Sequence, residues 1–331
     1  PIGGATFAAY GAHDHAAEAM IRAAVAPDSP RTIESLRHDD ATWDDAAHWR
    51  ARAIARDSAT GAPVAFVRLA HMPWQFRPNR YLAEVLVVPD ARGRGLGRAG
   101  ATWVDGVAEA RRAVAVRVNV SESDVRSGAF AEACGYIERQ RSWESRLDVN
   151  RVAGEPFAAY TARVVADGIV IRTLSELLAE TDTPLSRHSP LSDPATPVAY
   201  AVWAADVIEG PDALPDATFL AIDPVGEAGR AGLPGPLVGM CVLGRTPGVP
   251  GSLSQGLTAV ARAYRGRGIA QALKARTIEY ARAHEYREIR TWNHSQNVPM
   301  LRINEHLGFV RQPARRTMVK DYRTDQPETP R

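Results

Sequence analysis

Arg92-Gly93-Arg94-Gly95-Leu96-Gly97 is a stretch suited to holding an anion. Three glycines in six residues let the backbone take positive φ and leave N–H groups unscreened by side chains. The stretch follows an apolar, β-branched run from Tyr81 to Val88 and leads into a helical pattern over 95–110. The positive end of a helix dipole therefore faces the same spot, and a phosphate or pyrophosphate is the group it would serve. The construction returns at Arg265-Gly266-Arg267-Gly268-Ile269-Ala270, after a strand-like run from Ser252 to Val260 and before a helical pattern over 268–284. The offset is 265 − 92 = 173, and the pairs Gly135-Tyr136 and Gly308-Phe309 are also separated by 308 − 135 = 173. Two landmarks at one offset mark an internal duplication.

The elements around each turn follow from periodicity. Residues 5–10 read as a strand, and Asp14 as the N-cap of a helix running through Val25. A second helical stretch carries Trp43 and Trp49, and residues 51–56 and 64–70 flank the turn Asp57-Ser58-Ala59-Thr60-Gly61 as a hairpin. The loop 71–80 is aromatic and basic; it either shapes an acceptor pocket or caps the core. A strand over 113–118, a helix over 125–134 and a final pair of strands through Leu147 complete the first half. In the second half, strands are expected at 168–173, 218–222 and 237–243, and a helix at 198–208. Four prolines between Thr181 and Pro197 rule out a continuous helix, and 223–236 is a Gly/Pro-rich loop. The expected organisation is a domain over 1–150, a linker over 151–166, a second domain over 167–323 and a disordered tail over 324–331.

At 331 residues there is room for two domains, each with its own core. Formal charge is +2, and of 40 basic residues only Lys274 and Lys320 are lysine, so no basic run marks a nucleic-acid surface. Cys134 and Cys241, the only cysteines, argue against a disulfide framework or a thiolate metal site. His13-Asp14-His15 has no further ligand cluster at coordinating spacing, so no metal is expected. With no apolar segment of membrane-spanning length, the expectation is a cytoplasmic protein without membrane or nucleic-acid partners, its oligomeric state open.

The order strand, helices, hairpin, strand with glycine turn, helix, strand, helix, strands, given twice, resembles the GNAT superfamily of acyl-CoA-dependent N-acetyltransferases over nearly the whole chain. That family's turn is Arg or Gln, two variable residues, Gly, one variable residue, then Gly or Ala. Arg92, Gly95 and Gly97 match it, and so do Arg265, Gly268 and Ala270. The resemblance implies an α/β fold, with a mixed sheet of the α+β kind in each of two tandem domains. It further implies acetyl-CoA as acyl donor, without a metal. The cofactor's pantetheine arm would lie where the fourth and fifth strands splay. Backbone near Leu86, Val87 and Val88 would polarise the thioester. Residues Arg92, Gly93, Arg94, Gly95, Leu96 and Gly97 would hold the pyrophosphate. In the second half the corresponding set is Val260, Arg265, Gly266, Arg267, Gly268, Ile269 and Ala270, with Asn297 as a pantetheine contact. A nicotinamide-binding reading of Gly95-Leu96-Gly97-Arg98-Ala99-Gly100 fails, because Pro89 to Arg92 separate it from its strand and no acidic residue ends the next one.

The resemblance implies that Glu84 takes the proton of a primary amine, whose unperturbed pKa is near 10 if it is lysine-like. Leu257 occupies that position in the second half. The family's usual general-acid Tyr is replaced by Ala131 and Asn304, and Asp124 stands in the first half where the second has Asn297. The expected activity is acetylation of a small-molecule amine, a specialised metabolite or amino-acid derivative, with the chemistry in the first domain. The alternative is an acyl-CoA-binding sensor or scaffold with one or both domains non-catalytic.

Overall fold

A computed structural model describes residues 3–152, 155–180, 200–225 and 237–322. In chain order its elements are β1 (Ala5–Ala9), α1 (His15–Val25), α2 (Ile33–Ala41), β2 (Arg50–Asp57), β3 (Pro63–Ala70), β4 (Arg80–Val87), α3 (Leu96–Ala110), β5 (Ala115–Ser121), α4 (Val125–Ala133) and β6 (Ile137–Asp148). The second half adds α5 (Glu155–Ala166), β7 (Val170–Thr173), α6 (Leu174–Glu180), α7 (Tyr200–Val207), β8 (Phe219–Ile222), β9 (Leu237–Arg245) and β10 (Ser252–Val260). It closes with α8 (Ile269–Ala283), β11 (Glu288–His294), α9 (Val298–His306) and β12 (Val310–Asp321). From α3 onward the duplication is kept residue for residue: α8 starts at 269 − 96 = 173 after α3, and β12 at 310 − 137 = 173 after β6.

The chain forms two compact units, but not two contiguous halves. One comprises 1–142 with 313–331, the other 143–312. In the first, β1-β2-β3-β4-β5 is closed by the end of β12, which pairs antiparallel with β5 from Arg315↔Ser121 to Asp321↔Ala115. In the second, β7-β8-β9-β10-β11 is closed by residues 143–148 of β6. The expected boundaries at 150 and 167 are therefore corrected, as is the expected pair of strands before Leu147. Only β6 is there, and the strand beside β5 comes from the end of the chain. A duplicated sequence gives β6 and β12 the same alternation, so periodicity cannot say which copy each joins.

Three local expectations also change. Residues 155–166 are a helix rather than a linker, because Phe157, Tyr160 and Val164 form a stripe that packs against α8. Trp43 and Trp49 lie beyond α2, which ends at Ala41. Asp14 precedes α1 without capping it. Its carboxylate accepts from Gly11 N–H at 2.9 Å and pairs with Arg56 at 2.6 Å. His13 is exposed, whereas buried His15 bonds Ala12 O and Asp40. The stretch 181–197, residues 226–236 of the 223–236 loop and the tail from Thr324 lie outside the described residues.

The second unit buries a lysine. Lys274 on α8 is 1% exposed, bonded to Gln255 of β10 with its ammonium over the Phe309 ring. Burial lowers its pKa from 10.5 to about 8, with no carboxylate among the described residues to compensate the charge. Below pH 8 folding must bury a cation. Between pH 8 and 10.5 the unfolded chain binds more protons than the folded one, so stability rises with pH there. Lys274→Met is expected to stabilise the second unit at pH 7 by up to about 3 kcal/mol. The gain should shrink towards zero by pH 10.5 in urea unfolding, and a pH-independent difference would rule the account out.

Candidate active site

β4 alternates faces. Tyr81, Ala83 and Val85 turn towards α3 with Leu69, Val104 and Val116, while Leu86 and Val88 turn towards α1 with Ile21, Ile54 and Phe66. Leu82 and Glu84 share the α1 face. β4 and β5 are parallel partners only at Arg80↔Ala115, Tyr81↔Val116 and Leu82↔Arg117, after which the pairing ends although both strands continue. In the second unit β10 and β11 part after Gln255↔Thr291. Each unit thus contains the splay expected between its fourth and fifth strands.

The turns follow each splay. Gly93 and Gly95 have φ of +80° and +84°, and Gly266 and Gly268 have +80° and +83°. These are left-handed values that only glycine adopts without strain. A Cβ built at Gly93 or Gly266 would meet nothing within 4 Å, so both turns present open backbone. The first helical bonds are Ala99 N to Gly95 O and Ala272 N to Gly268 O, each 3.0 Å. The N–H groups of Leu96, Gly97 and Arg98, and of Ile269, Ala270 and Gln271, therefore have no intrahelical acceptor. Such a set of donors fits the pyrophosphate of acetyl-CoA.

The arginines of the motif have a different job from their backbone. Arg92 Nε donates to Val87 O at 3.2 Å, and Arg265 Nε to Val260 O at 3.1 Å, so each guanidinium pins its turn to the end of the preceding strand. Arg94 holds Gly3 O and, at 2.7 Å, Asp57, while Arg267 reaches Asp167 O. Asn297 caps α9 through Met300 N at 3.4 Å, and Asp124 caps α4 through Ser127 N at 3.0 Å.

Glu84 sits on β4 with its carboxylate bound bidentately by Arg22 of α1, at 3.1 and 2.9 Å, and with Arg68 of β3 3.6 Å away. Burial pushes its pKa up, but Arg22 and Arg68 outweigh it and hold the group down at about 2. It is ionised at every working pH, and its side chain remains 28% exposed, within reach of a ligand. Arg22 also bonds Glu18 at 2.8 Å. Neither Arg22 nor Arg68 was singled out from the sequence. Arg22 lies 62 positions from Glu84, and the register that pairs Arg68 with Glu84 emerges only in the structure, so no sequence signal pointed to either arginine.

The fourth strands differ. β4 pairs with β3 without interruption, whereas β10 carries a bulge against β9 between Gln255 and Thr258. Gly256, a glycine inside a strand pattern, is the sequence signal for it. Leu257, the counterpart of Glu84, lies in the bulge, and being leucine it offers no carboxylate at that position. Asn304 is buried and bonds Asn293 at 2.6 Å, and Ala131 is buried too, so neither acts as a general acid.

Among solved structures, a tandem GNAT protein from the clavulanic acid biosynthesis pathway is 20% identical. The match covers 97% of this chain and all of that one, with a TM-score of 0.70. A GCN5-related N-acetyltransferase from Sphaerobacter thermophilus is 18% identical over 97% of this chain and 96% of its own, with a TM-score of 0.65. At these identities the likeness shows the fold. No curated protein matches the chain in sequence. No helix among the described residues is long and apolar enough to cross a membrane. The profile of the Acetyltransferase (GNAT) family matches residues 17–136 and again 197–309, one match over each glycine turn. With its two splayed strand pairs and two glycine turns, this chain belongs to the GNAT acetyltransferase family, in tandem form.

Proposed function

We propose that the chain transfers an acetyl group from acetyl-CoA to the primary amine of a small molecule, with the chemistry in the first unit. Glu84 carries this reading: a fixed, ionised carboxylate beside the splay in the first unit, with leucine at the matching position in the second. The thioester supplies the activated acetyl group. The amine lone pair forms the new C–N bond, the C–S bond breaks, and the electron pair leaves on sulfur. Held near pKa 2, Glu84 is a weak proton acceptor. It acts by stabilising the cationic nitrogen that forms during attack, and water carries the nitrogen's proton to the departing thiolate. Main chain of Leu86 to Val88 faces the thioester oxygen, and the donors of the first turn hold the pyrophosphate.

The alternative, an acyl-CoA-binding module without turnover, draws on the absence of a Tyr at Ala131 and Asn304. Glu84→Gln separates the two. Turnover, followed as free thiol, should fall about 100-fold while the acetyl-CoA dissociation constant stays within twofold. Because Glu84 titrates near 2, the rate of the unaltered chain between pH 5 and 9 should rise with deprotonation of the amine and show no second ionisation from Glu84. Undiminished turnover in Glu84→Gln would remove the carboxylate from the mechanism, and absence of turnover with every amine would favour the binding module.

A further inference from the structure

Arg117 lies on β5 at the last register pair before the strands part, opposite Leu82. Paired residues of parallel strands share a face, so Arg117 stands on the Glu84 side, two residues along β4 from Glu84. Strand spacing puts the Cα atoms of Arg117 and Glu84 about 8 Å apart or slightly more. The opposite parity, Val116, Val118 and Val120, belongs to the core under α3.

The other guanidinium groups considered on this face each have a carboxylate within 4 Å, although Arg68, like Arg117, keeps a buried Nε without a hydrogen bond. Arg22 pairs with Glu84 and Glu18, Arg68 approaches Glu84, and Arg50 and Arg52 pair with Asp40. Arg117 has no carboxylate within 4 Å among the described residues. Its one side-chain partner there is Gln75, from the loop before β4, whose Oε1 accepts from Nη1 at 3.1 Å. Its Nε is buried and bonded to nothing. Burial lowers the Arg117 pKa with no opposing charge, which identifies a desolvated cation left uncompensated. A fork of N–H donors lacking its acceptor matches a carboxylate in geometry and charge.

Resting on the reading of the first unit as the transfer site, we infer that the acceptor is an amino acid or a derivative keeping a free carboxylate, which Arg117 binds while the amine lies towards Glu84. The carboxylate neutralises Arg117 and completes the donors that Gln75 leaves open. The amine and carboxylate of one small molecule then bridge the two strands across the mouth of the splay. The loop 71–80 enters the acceptor site through Gln75, whereas His71 of the same loop is buried and stacked on Tyr81 as part of the core.

The test uses matched pairs, in which each acid is compared with its amide. Five N-acetyl amino acids (of glycine, alanine, glutamate, phenylalanine and lysine) and their C-terminal amides are titrated by calorimetry into the full chain saturated with CoA. At least one acid should bind tenfold or more tightly than its amide. In Arg117→Gln the ratio should fall to within twofold of one, and Arg117→Lys should restore part of it. Acetyl-CoA affinity and melting temperature, measured on both variants, confirm that the fold is kept. An acid-to-amide ratio near one in the unaltered chain, binding of none of the acids, or an unchanged ratio in Arg117→Gln would overturn the inference. A persistent Arg117-dependent ratio without transfer to any free amine would sink the transfer reading and leave the carboxylate site standing.

Discussion

Replacing Gly95 by glutamate is expected to abolish acetyl-CoA binding to the first unit, weakening it at least 100-fold, and to stop turnover. Two effects add. A side chain at φ +84° carries a left-handed penalty of roughly 1–2 kcal/mol, and a carboxylate placed among the donors of Leu96 to Arg98 repels the pyrophosphate they would hold. Gly95→Ala isolates the first effect and should cost about tenfold, with the remainder due to charge. Gly268→Glu makes the same change in the second turn. If both turns hold the cofactor, calorimetry should show two sites in the unaltered chain and one in each variant, with turnover lost only in Gly95→Glu. Turnover that disappears with Gly268→Glu and survives Gly95→Glu would move the chemistry to the second unit and strip Glu84 of its role.

A chain ended at Gln312 is expected to lose its folded first unit while keeping the second. β5 would lose every partner from Arg315 to Asp321, and Met318, fully buried against Val116 and Val120, would leave the core. The clamp of Lys320 on Asp105, at 2.8 and 2.9 Å, would go with it, as would the bond from Tyr322 to the same carboxylate. Losing one large buried side chain already costs about 2–5 kcal/mol, a large part of the 5–15 kcal/mol that holds an ordinary domain together. Hydrogen exchange should show β5 and α3 unprotected and α8 and β11 unchanged. A synthetic peptide of residues 313–322 added in trans should restore protection of β5. Protection that survives the truncation would show that the first unit closes without the strand. Met318→Asp tests the same contact in the full-length chain, with loss of protection again confined to the first unit.

Local chemistry was legible in the sequence wherever a residue type is nearly obligatory. The left-handed glycines of both turns, the repeat of 173 and the strand before each turn depend on steric rules that a short window contains. β1 to β5 and β7 to β10 were legible as short apolar runs between turn signals, and the splay followed from the resemblance. What lay beyond a window was lost. The Asn119–Thr317 and Val116–Lys320 pairings depend on which of two similar strands reaches β5, and α5 has too short an apolar stripe to stand out. The motif arginines illustrate the same limit within the site. Their charge invited a role on the pyrophosphate, whereas Arg92 and Arg265 spend their Nε donors on strand carbonyls. Glu84 was identified from the resemblance, but its strength as a base is set by Arg22, a residue of α1 unremarkable in its own sequence.

The placement of β12 also sets a timetable. Thr317 bonds Asn119 across 198 positions, and at roughly 5–20 residues per second a ribosome spends about 10–40 s between them. The second unit draws its closing strand from residues 143–148, upstream of everything else it contains, so its sheet can finish as soon as β11 emerges. The first unit, although translated first, must wait with an unpaired β5 edge until Arg315 to Asp321 have been made. Completion therefore runs against the order of synthesis, and the exposed edge is the interval in which a nascent chain would most depend on a chaperone.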